Sequence, residues 1–127
     1  MFIALSACKQ TPRSKSYTIA VSQPTTTDAW RKAMMLEMER ALTFHPNVHI
    51  IITDAQDNNE KQIEQIDSLV SLGIDLLIVS PNESLPLTEK VSEVFEKDIP
   101  VIVIDREISS YQYNSYIGAN NYTIGKI

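Results

Sequence analysis

Several common functions are excluded by what the chain has little of. Of its 127 residues, one is Cys, three are Gly and two are His. A single Cys cannot close an intrachain disulfide, so the fold rests on its hydrophobic core, which at this length buries roughly two-thirds of the surface the unfolded chain exposes. The glycines, Gly73, Gly118 and Gly125, are scattered. Walker and dinucleotide loops need clustered glycines to let backbone N–H groups approach phosphate, so both fingerprints are absent. Basic residues are also short, with 11 Lys+Arg against 16 Asp+Glu and a net charge of -5. Nucleic-acid affinity grows from Lys and Arg neutralising phosphates, so no nucleic-acid partner is expected. No apolar run approaches the roughly 18 to 20 residues of a membrane-spanning helix. There is no Gly-x-Ser-x-Gly elbow, and His45 and His49 flank the start of a strand, away from the strand ends where catalytic groups gather. The two histidines have no acid between them as in the zinc-protease helix, and Cys8 lies in the tail, so zinc ligation is not expected. The expectation is a non-enzymatic chain with surface histidines, no metal and no cofactor.

What is present, 43% hydrophobic residues and a moderate charge content, suits one globular domain. The beginning differs from the rest. Met1 to Leu5 is apolar, Ser6-Ala7-Cys8 follows, and Lys9 to Ser16 is polar. Leu5-Ser6-Ala7-Cys8 resembles a bacterial lipobox, in which the Cys is lipidated. No Lys or Arg precedes Cys8, and the apolar run is shorter than the roughly 7 to 15 residues of a secretory core. Residues 1–16 therefore read as a truncated lipoprotein signal and linker, with Cys8 as lipidation site and sole membrane anchor. The alternative is an incidental thiol on a short apolar tail.

From Tyr17 onward, strand and helix patterns alternate. Tyr17 to Ser22 is β-rich and stops at Gln23-Pro24. The Thr25-Thr26-Thr27-Asp28 cluster offers caps, and Trp30, Ala33, Met34, Met38, Ala41 and Leu42 then recur at helical spacing, predicting a helix from Asp28 to about Phe44 with that stripe buried. Val48 to Asp54 is a second strand. A second helix follows, with Asp57 as its cap, Ile63, Ile66, Leu69 and Val70 on one face, and Gly73 at a left-handed C-terminal position. Ile74 to Ser80 is a third strand, Pro86 to Phe95 a third helix, and Val101 to Ile104 a fourth strand. A weaker strand at Tyr116-Ile117 and a helical start from Tyr122 complete the pattern. Near-continuous apolar strands suit burial on both faces of a parallel sheet. The reading is an α/β three-layer αβα sandwich, mainly parallel, with right-handed crossovers. The charged face of the third helix, Glu89, Lys90, Glu93, Glu96 and Lys97, reads as solvated surface.

In such a sheet, ligands bind beyond the carboxyl ends of the strands. Those positions hold Ser22 to Trp30, Asp54 to Asn58, Ser80 to Glu83, Asp105 to Glu107 and Gly118 to Asn121. The set is rich in amides, hydroxyls and one aromatic, chemistry that recognises hydroxyl groups rather than breaking bonds. A phosphorelay receiver of similar length needs an acidic pair, a phospho-acceptor Asp and a Lys at places where this chain has Ser22-Gln23, Ser80-Pro81 and Gly118-Ala119. A sugar-responsive repressor would carry a helix-turn-helix before the first strand.

Ser22-Gln23 with Asp28-Ala29-Trp30-Arg31, Asp54 to Asn58, Ser80-Pro81-Asn82-Glu83, Ile99 to Arg106, and Ile117 to Asn121 form an ordered series. It resembles the N-terminal lobe of type I periplasmic sugar-binding proteins of the ribose and galactose class. The similarity is greatest to sugar-sensing ectodomains of hybrid two-component regulators, and it covers residues 17–127. The resemblance implies strand order 2-1-3-4-5 and one lobe of a two-lobed, hinged sugar-binding domain whose second lobe is absent from this chain. It also implies an extracytoplasmic sensor in the periplasm or cell envelope, with a substrate-binding lipoprotein of an ABC sugar transporter as the alternative, and it leaves a homodimer open. The implied partner is a small-molecule sugar. Its expected contacts are Trp30, stacking on a sugar C–H face; Asp105 and Arg106, pairing with hydroxyls; and Ser22, Gln23, Asn82 and Asn120, which can donate and accept.

Overall fold

The computed structural model describes residues 15–119 and 124–125. Cys8 with the expected lipobox, Asn120, and most of the expected final helical start lie outside the described residues. The elements run β1 (Tyr17–Gln23), α1 (Ala29–Leu42), β2 (Val48–Asp54), α2 (Asn59–Ser71), β3 (Leu76–Val79), α3 (Ser84–Glu96), β4 (Val101–Ile104) and β5 (Ser115–Ile117). All five strands pair in parallel, in the order β2-β1-β3-β4-β5 anticipated from the sequence.

Local chemistry sets the helix boundaries. Asp28 caps α1 by accepting the Arg31 N–H at 2.8 Å. Asn58, not Asp57, caps α2, accepting the Lys61 N–H at 2.7 Å. The expected cap is one residue early because Gln56 and Asp57 both turn into the left-handed region, at φ 54 and 56, and only Asn58 has the extended backbone that aims a side chain over the first turn. Gly73 has φ 79 just beyond α2, where any Cβ would be strained.

The connection from β1 to β2 moves one way along the sheet, and that from β2 to β3 moves back across β1. With right-handed crossovers, this reversal places α1 on one face and α2 with α3 on the other. The main core fills the second face: Ala20, Leu77, Val79, Val101 and Val103 from the sheet meet Ile66 and Leu69 of α2 and Leu87, Val91 and Val94 of α3. Lys90 reinforces that layer. Its ammonium bonds Asp67 of α2 at 2.9 Å and also Glu93, and its side chain is only 15% exposed. One member of the charged α3 face expected to be solvated thus ties two helices together.

The first helix departs further from expectation. None of its residues is fully buried, and Trp30 is 52% exposed. Met34, Met38 and Leu42 are half-buried, while Ala33 and Ala41 are exposed. The cause is topological. Among the described residues α1 alone covers its face, and it lies against β2, an edge strand none of whose residues is fully buried. Burial on both faces therefore fails for β2.

One buried side chain joins this core to the strand ends. Gln62 of α2 is fully buried; its Nε2 donates to Ser22 Oγ at 3.1 Å and to the Ser80 carbonyl at 2.9 Å, and its Oε1 accepts the Asn82 N–H at 2.8 Å. Gln62→Ala would leave three polar groups short of a partner and should cost about 2 to 4 kcal/mol. Urea unfolding checks this: the midpoint should fall with the slope unchanged, and an undisturbed midpoint would show that the amide bridge carries no stability.

Candidate functional site

The chain order reverses between β1 and β3, and this switch point opens a crevice at the carboxyl ends of the strands. Arg31 reaches across it from the first turn of α1. Its Nη1 donates to Asp28 Oδ2 at 2.9 Å, and its Nη2 donates to Asp105 Oδ2 at 2.9 Å and to Ser80 Oγ at 3.3 Å. Asp28 thus serves twice, capping the helix with one oxygen and pairing with the guanidinium through the other. The Arg31 guanidinium also lies 5.2 Å from the Trp30 ring centroid, within cation–π range. The residues gathered are Asp28, Trp30 and Arg31 from α1, Ser80 after β3 and Asp105 after β4.

Asp105 is held on both sides of an unusual backbone. Its φ is 66, a left-handed value that costs a non-glycine residue about 1 to 3 kcal/mol. Its N–H donates to the Ile117 carbonyl at 2.9 Å. The connection that follows is strapped to α3 through hydroxyls: Ser84 donates to the Glu107 carbonyl, Thr88 accepts the Ser109 N–H at 2.8 Å, and Ser92 bonds Ser110 at 3.0 Å. Fixed in this way, the carboxylate points at Arg31 and stays half-exposed.

The sequence-derived candidates fall into groups. Trp30, Asp105 and Arg106 are exposed at the strand ends. Among the described residues Asp105 pairs with Arg31 rather than with its neighbour Arg106. Ser22 is fully buried and accepts from Gln62, and Asn82 Nδ2 donates to Asn59 Oδ1 at 2.9 Å, so both side chains support the α2 side of the crevice. Gln23 is fully buried too, and neither of its amide atoms has a hydrogen-bond partner among the described residues. Asn120 lies outside the described residues. Two central residues, Arg31 and Gln62, were not singled out from sequence. Arg31 carried a signal, standing three positions after a capping Asp where an i,i+3 pair forms; Gln62 carried none, since a polar residue on a helix ordinarily faces water.

Residues 19–127 match the periplasmic binding protein domain. The chain belongs to that family. Among solved structures, this periplasmic binding domain superposes with a TM-score of 0.83 on the fructose-binding periplasmic domain of a hybrid two-component system, at 44% identity over 87% of this chain and 36% of that one. A Caulobacter myo-inositol binding protein matches at 27% identity and TM-score 0.80, over 91% of this chain and 39% of that one. The ribose import binding protein of Bacillus subtilis is 24% identical over 113 residues, 89% of this chain and 37% of the relative. The chain therefore spans little more than a third of the length of these relatives. They are binding proteins, as the absence of a catalytic constellation in the sequence led one to expect.

Two carboxylates at the crevice are more acidic than usual. Backbone and side-chain hydrogen bonds from Arg31 hold Asp28 below its ordinary 3.8, and the Thr26 hydroxyl does the same for Asp54. A depressed pKa contributes stability above the unfolded value and loses it as pH falls through the folded one. Stability should therefore drop as pH decreases below 3.8. Asp28→Asn, which keeps a capping oxygen but no charge, should show a shallower drop between about pH 4 and 2. Thermal melts of both proteins decide, and parallel curves would remove Asp28 from the acid transition.

Proposed function

We propose that this chain supplies one lobe of an extracytoplasmic carbohydrate-binding domain, the sensor of a two-component sugar-sensing system, with the sugar seated at Trp30, Arg31, Asp105 and Arg106. The observation that carries the reading is the Arg31–Asp105 bridge across the switch point. It presents a carboxylate oxygen and guanidinium donors beside a half-exposed aromatic ring, a combination suited to paired hydroxyls and a C–H face. The sensor assignment is supported by the 44% identity to the fructose-binding domain of a hybrid two-component system. The reading places the lobe in the periplasm, with a second lobe completing the cleft.

An uncharged sugar on one open lobe competes with water, so affinity should be millimolar or weaker, only about 4 kcal/mol. Nuclear magnetic resonance titration with D-fructose, D-ribose and myo-inositol tests this. The best sugar should shift the signals of Ser80, Asp105 and Arg106, and Asp105→Ala should weaken binding by about tenfold or more. Undiminished binding by a folded Asp105→Ala chain would displace the site from these residues. Extension of the reading frame beyond Ile127 separates the classes: kinase segments support the sensor, and a stop after a second lobe supports the transport alternative.

A further inference from the structure

The left-handed Asp105 is held from β5 by more than its amide. The register sets Val103 beside Tyr116 and Ile104 beside Ile117, so the end of β5 lies alongside the turn that Asp105 makes. The Tyr116 hydroxyl donates to the Asp105 carbonyl at 2.8 Å, while the Asp105 N–H reaches the Ile117 carbonyl. Both backbone polar groups of this residue are thereby fixed by one strand. The phenol can lie there only because residue 118 has no side chain. A Cβ at Gly118 would stand 2.0 Å from the Tyr116 hydroxyl oxygen, 2.3 Å from its Cζ and 3.0 Å from the Asp105 carbonyl oxygen. Contacts under 3.0 Å force something to move, and the movable part is the phenol.

We propose that Tyr116 is a positioning residue of the binding site, a latch that holds Asp105 in its left-handed turn so that its carboxylate meets Arg31, with Gly118 as the clearance the latch requires. Its binding readout rests on the carbohydrate reading above; its conformational readout does not. The phenol is a dependable donor. Partial burial and the nearby Glu107 and Asp105 carboxylates raise its pKa above the ordinary 10.0, so it stays protonated throughout the physiological range.

The residue pair differs from ordinary packing in one testable respect. Tyr116→Phe removes only the hydroxyl and keeps the ring, so strand pairing and core volume are unchanged. Without the hydroxyl, the Asp105 carbonyl is released and the carboxylate should spend less time on Arg31. Gly118→Ala should reach the same result by displacing the ring.

The experiment compares the parent chain, Tyr116→Phe, Gly118→Ala, Tyr116→Ala and the double Tyr116→Ala/Gly118→Ala variant by nuclear magnetic resonance, first without ligand and then titrated with D-fructose, D-ribose and myo-inositol. Without ligand, Tyr116→Phe and Gly118→Ala should both shift the Asp105 amide and the Arg31 guanidinium signals while the Val101 to Val103 amides stay in place. Affinity for the best sugar should fall about three- to tenfold in each. Gly118→Ala should add little once the ring is gone, since coupled neighbours are non-additive. Unmoved Asp105 and Arg31 signals in Tyr116→Phe overturn the latch whether or not a sugar binds. Unchanged sugar affinity, or full additivity in the double variant, overturns it as well. Shifted signals in Tyr116→Phe, with a parent that binds no sugar of the panel, uphold the latch and count against the carbohydrate reading instead.

Discussion

Where the order of strands reverses between β1 and β3, the crossover helix α2 passes over the sheet, and a single buried amide on it spans the two strand ends. Gln62 uses both of its N–H groups and its oxygen on Ser22, Ser80 and Asn82. This fixes the ends of β1 and β3 relative to one another and to α2. Everything at the crevice is placed by reference to those two strand ends. Ser80 offers its carbonyl to Gln62 and its hydroxyl to Arg31, so the same residue belongs to the core on one side and to the site on the other. A buried amide so fully engaged resists small displacements, because any shift strands a group away from water at a cost of about 1 to 3 kcal/mol.

The charges at the site alternate around Arg31. Arg31 lies between Asp28 and Asp105, and Arg106 stands exposed nearby in sequence. Asp54 and Glu107 add two further carboxylates at the strand ends, so acids outnumber bases there. A phosphate or carboxylate ligand would be steered by a surplus of positive charge, whereas an uncharged polyol needs only donors and acceptors. The local excess of acids and the overall charge of -5 both disfavour anions.

Much of the fold was legible because its signals are local. Apolar runs bounded by Pro24, Pro81 and Pro100 marked β1, β3 and β4, and Gly73 marked the end of α2 through a conformation only glycine adopts cheaply. The layered α/β class followed from the alternation of strands and helices, and the strand order from the family resemblance. What was not legible depends on neighbours distant in sequence. The helical spacing of Trp30, Met34 and Met38 looks like a buried stripe, but how far a stripe is covered depends on how many helices share that face, which periodicity does not encode. Ser22 and Asn82 have the chemistry of hydroxyl recognition, yet in the fold Gln62 and Asn59, 40 and 23 residues away, occupy their side chains. Asp105 was found for its position, but its left-handed backbone could not be foreseen, since that conformation is disfavoured for aspartate without outside support.

That support explains why a strained residue persists at the point of greatest chemical use. A left-handed Asp in an unsupported loop would relax and swing its carboxylate away; here β5 holds the backbone and the hydroxyls of α3 hold the loop beyond it. The carboxylate is therefore pre-aimed, and a ligand need not supply the ordering energy. In the lobe by itself, with Asp105 46% exposed, its pair with Arg31 is worth no more than about 1 kcal/mol because water screens it. The same two groups become stronger partners when a surface closing over the crevice excludes that water, since charge-assisted hydrogen bonds strengthen as the local dielectric falls. Geometry is thus built into these strand ends in advance, and under the proposed carbohydrate reading the strength of the contacts would wait on closure.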